Sequence, residues 1–445
     1  MNIRLGYWDK TLSEPLNYPA GEAHGLLCSP TRGGKFRDVI AQILLSFEGS
    51  CFVIDPKGQA AAVTARYRRD ALKQDVYLLN PFKILPKYLG RFDHATYDPV
   101  ASKLDPESDT FAADADNMME GLMPHGGPEV HWIDSARQLG AGIAMQLRMG
   151  ADRWSLPDVY ASIADRHLYQ FCEDEIQRLA DDPDVPSDDV VQQIVIRLGR
   201  FAGKEAADNR EVRSVVSTAI TRLGFLGNRP IANNMRKSTV DFAQMKHRPM
   251  TVYVILPGRY LAPYAAWLRT ITNAWADSCL EEGKGKLPVL GILDEFKTAV
   301  GRLGAIDTLN AMGAGYGCQL LTVIQDLNQL KELYPQSWET FVANSGFQMF
   351  FSPRDWTTSD YLSKMTRTID VPQVSRSFSQ QNMNLSLSSR DRRSMLPEEV
   401  RGLSENEMLV SLDYAPSGFF VAGRRPYYGE DSEYIGRYDK DPYHV

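Results

Sequence analysis

The chain has 445 residues, a formal net charge of −7, 43% hydrophobic residues, five cysteines and seven histidines. That length suggests roughly two or three domains, and the acidic balance argues against a constitutively basic nucleic-acid binder while leaving a local basic lining open. No run of about 18 apolar residues is present to cross a membrane, the N-terminus has no apolar signal segment, and the odd, unpaired cysteines and scattered histidines fit a reducing cytoplasm rather than a disulfide framework or zinc site.

Residues 1–24, with Pro15, Pro19 and Gly21, are expected to form an extended lead-in. Residues 25–28 are a short apolar strand that runs into SPTRGGKF. After it Ile40, Ile43, Leu44 and Phe47 recur at the spacing of one helix face. Residues 51–54 form an apolar run ending in Asp55-Pro56-Lys57-Gly58, which reads as a buried strand closed by a turn. A helix over 60–69 and a strand over 76–79, ending at Asn80-Pro81, complete the alternation that marks a parallel sheet.

From 108 to 229 the patterning is helical, with Trp132, Ala136, Leu139 and Ile143 on one stripe and Val191, Ile194, Val195 and Leu198 on another. DDPDVPSDD, residues 181–189, is a polar loop between helices. Strands resume at 251–256, 289–293, 320–324 and 347–351. Each is a continuous apolar run, as expected of strands buried on both faces. Residues 375–390 are rich in Ser, Gln and Asn and are expected to be a mobile surface loop. The predicted fold is α/β, with a mainly parallel sheet and an inserted all-α segment.

Ligands of open α/β sheets sit at the carboxyl ends of the strands. A phosphate loop has the form G-x-x-x-x-G-K-[ST]. Here Ser29 replaces the first glycine, Gly34 and Lys35 match, and Phe36 replaces the hydroxyl residue. Gly33 and Gly34 let backbone N–H groups approach phosphates, the following helix opens toward an anion, and Lys35 supplies a point charge. Residues Pro30, Thr31, Arg32, Gly33, Gly34, Lys35 and Phe36 are therefore the candidate nucleotide loop, with Phe36 expected to turn into the core. Asp294, at the tip of the run VLGIL, is placed to hold the water shell of Mg²⁺. Glu295 is placed to polarise an attacking water, although the same pair would also serve as a helix cap. Gln325 ends the neighbouring run, either to orient the water and sense the γ-phosphate or as a plain polar strand end.

The ordered set SPTRGGK, VIDPKGQAAAVTARYRR, LLNPF, ILDEFKTAVGRL, GYGCQLLTVIQDLNQLKELY and ANSGFQMFF resembles the TraG/TraD-type coupling ATPases of type IV secretion and conjugation, over about residues 20–430. The resemblance implies a RecA-like P-loop NTPase domain over 25–107 and 230–430, an all-α domain over 108–229, the lead-in 1–24 and a C-terminal tail 431–445. It implies ATP and Mg²⁺ as cofactors, hydrolysis with Glu295 and Gln325 in catalytic roles, and a homo-hexameric ring. Partners would be the channel ATPases and inner-membrane components of the secretion system, at the cytoplasmic face of the bacterial inner membrane. Cargo would be relaxase-bound single-stranded DNA or effector protein. Arg354, Arg367 and Arg376 are candidates for an arginine acting in trans, with a solvated surface residue as the more ordinary reading of each. The tail, with mixed charges and aromatics, is expected to be solvated.

Members of that family commonly place Gly or Thr after the lysine, so Phe36 is a departure. They usually begin with a two-helix membrane anchor. Here the phosphate loop follows Met1 within about 30 residues, which fits either a member without the anchor or a chain that begins after it; the initial Met leans toward the former. Two rival functions stand beside the motor. One is a non-hydrolysing adaptor of the same fold, favoured by Ser29 and Phe36. The other is a double-stranded DNA pump, which would share the motor chemistry but not the DPKG and QDLNQL segments.

Overall fold

Every apolar run singled out above is a strand, with ends that move by no more than two residues. In the computed structural model all residues are described except 10, 125–129, 151–153, 182–188, 282, 380–381, 416–417 and 445. The strands in chain order are β1 (Asn2–Tyr7), β2 (Pro15–Pro19), β3 (His24–Cys28), β4 (Ser50–Ile54), β5 (Asp75–Leu79), β6 (Met250–Val254) and β7 (Val289–Leu293). Then come β8 (Cys318–Ile324), β9 (Ser345–Phe350), β10 (Thr368–Ser379), β11 (Asn382–Arg393), β12 (Glu407–Leu412) and β13 (Phe420–Gly423). They fall into two compact units, Met1–Phe47 with Leu321–Gly436, and Glu48–Leu320 with Arg437–Val445.

In the first unit β3 pairs in parallel with β8 and β9, and all five residues of β3 are buried. The sheet then continues antiparallel through β12, β13, β1 and β2. The expected lead-in is therefore a pair of sheet strands. Ile3, Leu5 and Leu16 are fully buried, and Asn2–Pro19, Ile3–Tyr18 and Arg4–Asn17 face each other before a register shift beside Gly6. The expected mobile loop at 375–390 is also corrected. Its backbone forms the hairpin β10–β11, paired from Thr368–Arg393 to Ser379–Asn382 without a break in register.

In the second unit β7, β4, β6 and β5 are all parallel neighbours, so their carboxyl ends share one edge. Between β5 and β6 every described regular element is helical, including Phe111–Leu122, Val130–Met149, Asp189–Gly199 and Arg210–Leu223. Ala136, Leu139 and Ile143 on one stripe, and Ile194 and Leu198 on the other, are buried. The loop at 181–189 lies almost wholly outside the described residues. The predicted boundaries at 108 and 229 both lie within this unit.

Aromatic packing anchors the sheet of this unit. The Trp275 indole, from helix Gly258–Leu280, stacks on Phe52 of β4 with centroids 4.3 Å apart. Gly291 of β7 makes room for it: a Cβ there would lie 2.2 Å from the indole. Arg68, in helix α2 (Gln59–Asp70), is fully buried and donates to Thr251 Oγ1 and to Gly49 O at 2.9 Å.

The tail expected to be solvated is docked instead. The Asp439 N–H donates to Val63 O at 2.9 Å, and its carboxylate pairs with Arg66 and Arg91. Gln59 donates to Asp441, and the Tyr443 hydroxyl donates to Lys57 O at 2.9 Å. All five cysteines are free and buried. Among the described residues no helix is long and apolar enough to cross a membrane.

Candidate functional site: a phosphate loop and a strand-tip diacid

The phosphate loop belongs to the first unit. After β3 the Ser29 N–H still pairs with Ile324 O at 2.9 Å. The Gly33 N–H then donates to Pro30 O, closing a turn in which Arg32 sits at φ 63°. Gly34 follows at φ 92°. A Cβ on Gly34 would lie 2.7 Å from Asp38 Oδ2, and one on Gly33 would lie 2.5 Å from Ser29 Oγ. Both glycines are thus dictated by close approach, and Gly34 also by its backbone angle.

Lys35 opens the helix. Its first turn is a π turn over Phe36–Ile40, in which the Ala41 N–H reaches back to Phe36 O, before α1 (Ala41–Ser46). Such turns recur at functional sites. Phe36 does not enter the core as expected. It is half-buried, with its ring edge-on to Tyr427 at 5.9 Å between centroids, and Val39 and Ile40 fill the core instead.

An arginine that the sequence did not suggest holds this loop from behind. Arg424, just after β13 and 4% exposed, donates to Gly33 O at 2.7 Å and to the buried carboxylate of Asp38. Arg37 Nε donates to the other Asp38 oxygen at 2.6 Å. The Arg424 guanidinium also lies 4.1 Å from the centre of the Phe351 ring. Burial lowers its pKa, and the charge of Asp38 offsets part of that. Arg424→Ala is expected to lower the unfolding free energy by about 3 kcal/mol, as a buried ion pair loses one partner. Arg424→Lys should recover only part, because a lysine cannot span both acceptors. Urea unfolding of the two variants beside the parent checks this, and an Arg424→Ala chain as stable as the parent would remove the clamp.

The structure brings Gln325 to the loop. The Thr31 hydroxyl donates to Gln325 Oε1 at 3.1 Å, and the Gln325 N–H donates to Gln329 Oε1 at 3.0 Å. Residue 325 is therefore fixed at both its backbone and its side chain, which suits a group that registers what the loop holds.

The diacid belongs to the second unit. Asp294 and Glu295 follow β7 and are half-buried. Asp294 Oδ1 accepts the Glu295 N–H at 2.9 Å. Glu295 adopts the left-handed conformation, φ 55° and ψ 44°, and starts the short helix Phe296–Ala299 without a side-chain capping bond. The cap alternative is thus not what its carboxylate does. A non-glycine residue in that region costs of order 1 kcal/mol or more and persists where the surroundings enforce it, often at active sites.

Asp55, at the tip of neighbouring β4, is buried and accepts the Ala61 N–H at 2.9 Å. Burial pushes its pKa up to about 7, against the backbone donors at the start of α2 and with help from the charge of Asp294. The folded protein therefore keeps a proton that the unfolded chain has released, and this group's contribution to stability falls as pH rises from about 4 to 7. Asp98, also buried, is raised to about 7 in the same sense. Asp55→Asn is expected to flatten part of that decline. Unfolding free energies near pH 5 and pH 7 measure it, and an unchanged slope would contradict the assignment.

Each unit's residues, taken by themselves, fit one part of a nucleotide complex. Two glycines without room for a Cβ and a helix that opens at Lys35 suit a phosphate chain, and the half-exposed Asp294 carboxylate suits a hydrated Mg²⁺. Of the candidate arginines, Arg354 follows β9 and Arg367 precedes β10, both exposed. Arg376 lies on β10, its side chain outside the described residues.

The chain is 27% identical over 412 residues to VirD4 of Rhizobium radiobacter, covering 89% of this chain and 56% of that protein. It is 26% identical over 382 residues to the conjugal transfer protein TraG of Escherichia coli, covering 79% and 56%. The chain thus spans little more than half the length of these relatives. Among solved structures it resembles the bacterial conjugative coupling protein TrwBdeltaN70, with a TM-score of 0.66 at 14% identity over 96% of this chain and 93% of that one. TrwB has also been solved with ADP and Mg²⁺, and matches with the same TM-score at 13% identity, over 96% of this chain and 94% of that one. The shared fold is the RecA-like α/β fold with a helical insertion. Residues 6–434 match the family described as type IV secretory system conjugative DNA transfer, and the chain belongs to that family.

Proposed function

We propose that this chain is an ATP-hydrolysing coupling protein of a type IV secretion or conjugation system, which recruits cargo and drives it into the channel. The observation that carries the reading is Glu295, an acidic residue held in a strained left-handed conformation at the tip of a buried strand and not used as a helix cap. In this mechanism the N–H groups of residues 34–36 and the Lys35 ammonium hold the phosphate chain. Asp294 would hold Mg²⁺ through water, and the ion would supply neutralisation of the charge that develops on the phosphate chain. Glu295 takes the proton of the attacking water. Gln325, tied to Thr31, orients that water or registers the γ-phosphate.

Nucleotide and Mg²⁺ binding, as seen in TrwB, carry over here as part of the proposal. So do a homo-hexameric ring and an arginine in trans from among Arg354, Arg367 and Arg376. The same holds for the domain plan of a discontinuous motor over 25–107 and 230–430 and an all-α domain over 108–229. The chain would act at the cytoplasmic face of the inner membrane with the secretion system's channel ATPases, and its cargo would be relaxase-bound single-stranded DNA or effector protein.

Steady-state ATP hydrolysis with Mg²⁺, with and without single-stranded DNA, tests the motor. Hydrolysis stimulated by the strand is expected for DNA cargo. Phe36 against Tyr427 favours one other reading, a nucleotide-gated adaptor, because no hydroxyl follows the lysine. Nucleotide binding without hydrolysis, over a protein range wide enough for ring assembly, would select it.

A further inference from the structure

The Asn80-Pro81-Phe82 motif after β5 has no part in the mechanism above, yet it frames a cavity of about 540 Å³. The cavity wall includes Asn80, Phe82, Lys83, His94, Thr96 and Arg229, and among the described residues no aspartate or glutamate lines it. We propose that this cavity is a second phosphate site, which takes the phosphate of a nucleotide unit, either free or within a single strand.

The motif presents Lys83 on a rigid turn. The Lys83 N–H donates to Asn80 O at 3.0 Å. The Asn80 side chain closes the turn from both sides, accepting the Ile84 N–H at 3.1 Å and donating to Ile84 O at 3.2 Å. Phe82 anchors it by stacking on Tyr260, with centroids 4.2 Å apart. Lys83 and Leu85 are consequently held at φ 48° and φ 52°. Backbone strain of this kind is retained where surroundings over-determine it, often at ligand clamps.

Two buried polar atoms on the wall, His94 Nδ1 and Thr96 Oγ1, have no hydrogen-bond partner among the described residues. Buried polar groups are rarely left so, and rotation of either side chain toward the cavity would let a phosphate oxygen satisfy it. Burial, and then the charge of Lys83, lower the pKa of His94, while a hydrogen bond to the Asn80 backbone and then the charge of Asp93 offset part of this. The wall thus carries excess positive potential. Two cations with an aromatic ring form the combination that holds phosphate beside a base. The cavity opens past the carboxyl end of β5, and β5, β6, β4 and β7 are parallel. It therefore shares the edge where such sheets bind ligands.

The test uses the full chain carrying Lys35→Ala, so that the phosphate loop contributes little and hydrolysis is not read. A fluorescent oligothymidylate and a fluorescent AMP are titrated separately by polarisation. Adding Lys83→Ala with Arg229→Ala is expected to weaken binding about tenfold or more and to reduce the salt slope for the strand by about 1.4, the share of two phosphate contacts. Thr96→Val, which removes no charge, should weaken it several-fold. Loss for the oligothymidylate alone identifies a strand as the source, and equal loss for AMP identifies a free nucleotide. Both residues are exposed, and circular dichroism checks that the variant is folded. If both probes bind the triple variant as tightly as the Lys35→Ala chain, with the same salt slope, the site does not exist.

Discussion

Glu295→Gln is expected to reduce ATP turnover about 10²–10⁴-fold, the range for a lost general base, with nucleotide affinity nearly unchanged. The amide has the same shape and pays the same cost at φ 55°, so the β7 tip keeps its conformation. What it loses is the capacity to take a proton from water. Asp294 remains, with its carboxylate still fixed by the N–H of residue 295. A phosphate-release assay, run beside equilibrium binding of a fluorescent ATP analogue, separates the two quantities. A variant that turns over at the parent rate would remove Glu295 from the chemistry. A variant that fails to bind would show that the carboxylate serves the fold of the site instead.

Lys35→Ala should abolish hydrolysis and weaken nucleotide binding as well, by about tenfold to a hundredfold, the range expected when a hydrogen bond to a charged group is lost. Lys35 is the first helical residue after Gly34, so its ammonium extends from the point where the loop's N–H groups begin to converge. Alanine is a good helix former there, and the clamp of Arg424 on Gly33 O and Asp38 is untouched. The loop therefore keeps its shape and loses a charge. Binding and turnover falling together is the signature that distinguishes this variant from Glu295→Gln. Hydrolysis at the parent rate would end the motor proposal.

The parts of the fold that were legible are those written locally. β3, β4, β6 and β7 are buried at every residue, and their continuous apolar runs state that without help from elsewhere. The phosphate loop and the diacid were legible for the same reason, since each is a short motif at a strand end. β1, β2, β12 and β13 were missed although β1 and β12 are longer than β3 or β4, and the pairing that joins the two hairpins is distant: β1 pairs with β13 at Tyr7–Gly423. Arg424 left no local trace, because its acceptor Gly33 O is 391 residues away. The hairpin is a different failure. Met383, Leu385 and Leu387 alternate with polar residues, and they face Phe378, Arg376 and Val374 in register. The period-2 signal was present, and the Ser- and Asn-rich composition outweighed it.

The return of the tail to α2 has a consequence for how the chain is made. Asp439 meets Arg66 across 373 residues, and Glu433 meets Arg4 across 429. Each compact unit therefore needs residues from near both ends of the sequence. At about 5–20 residues per second, α2 waits roughly 20–75 s for its covering segment, and β1 waits as long for β13. During that interval a nascent chain offers an unpaired strand edge, the kind of surface that pairs with the wrong neighbour. Ribosome-bound chains stopped before Phe420 should accordingly engage holding chaperones, and chains that extend through the tail should release them.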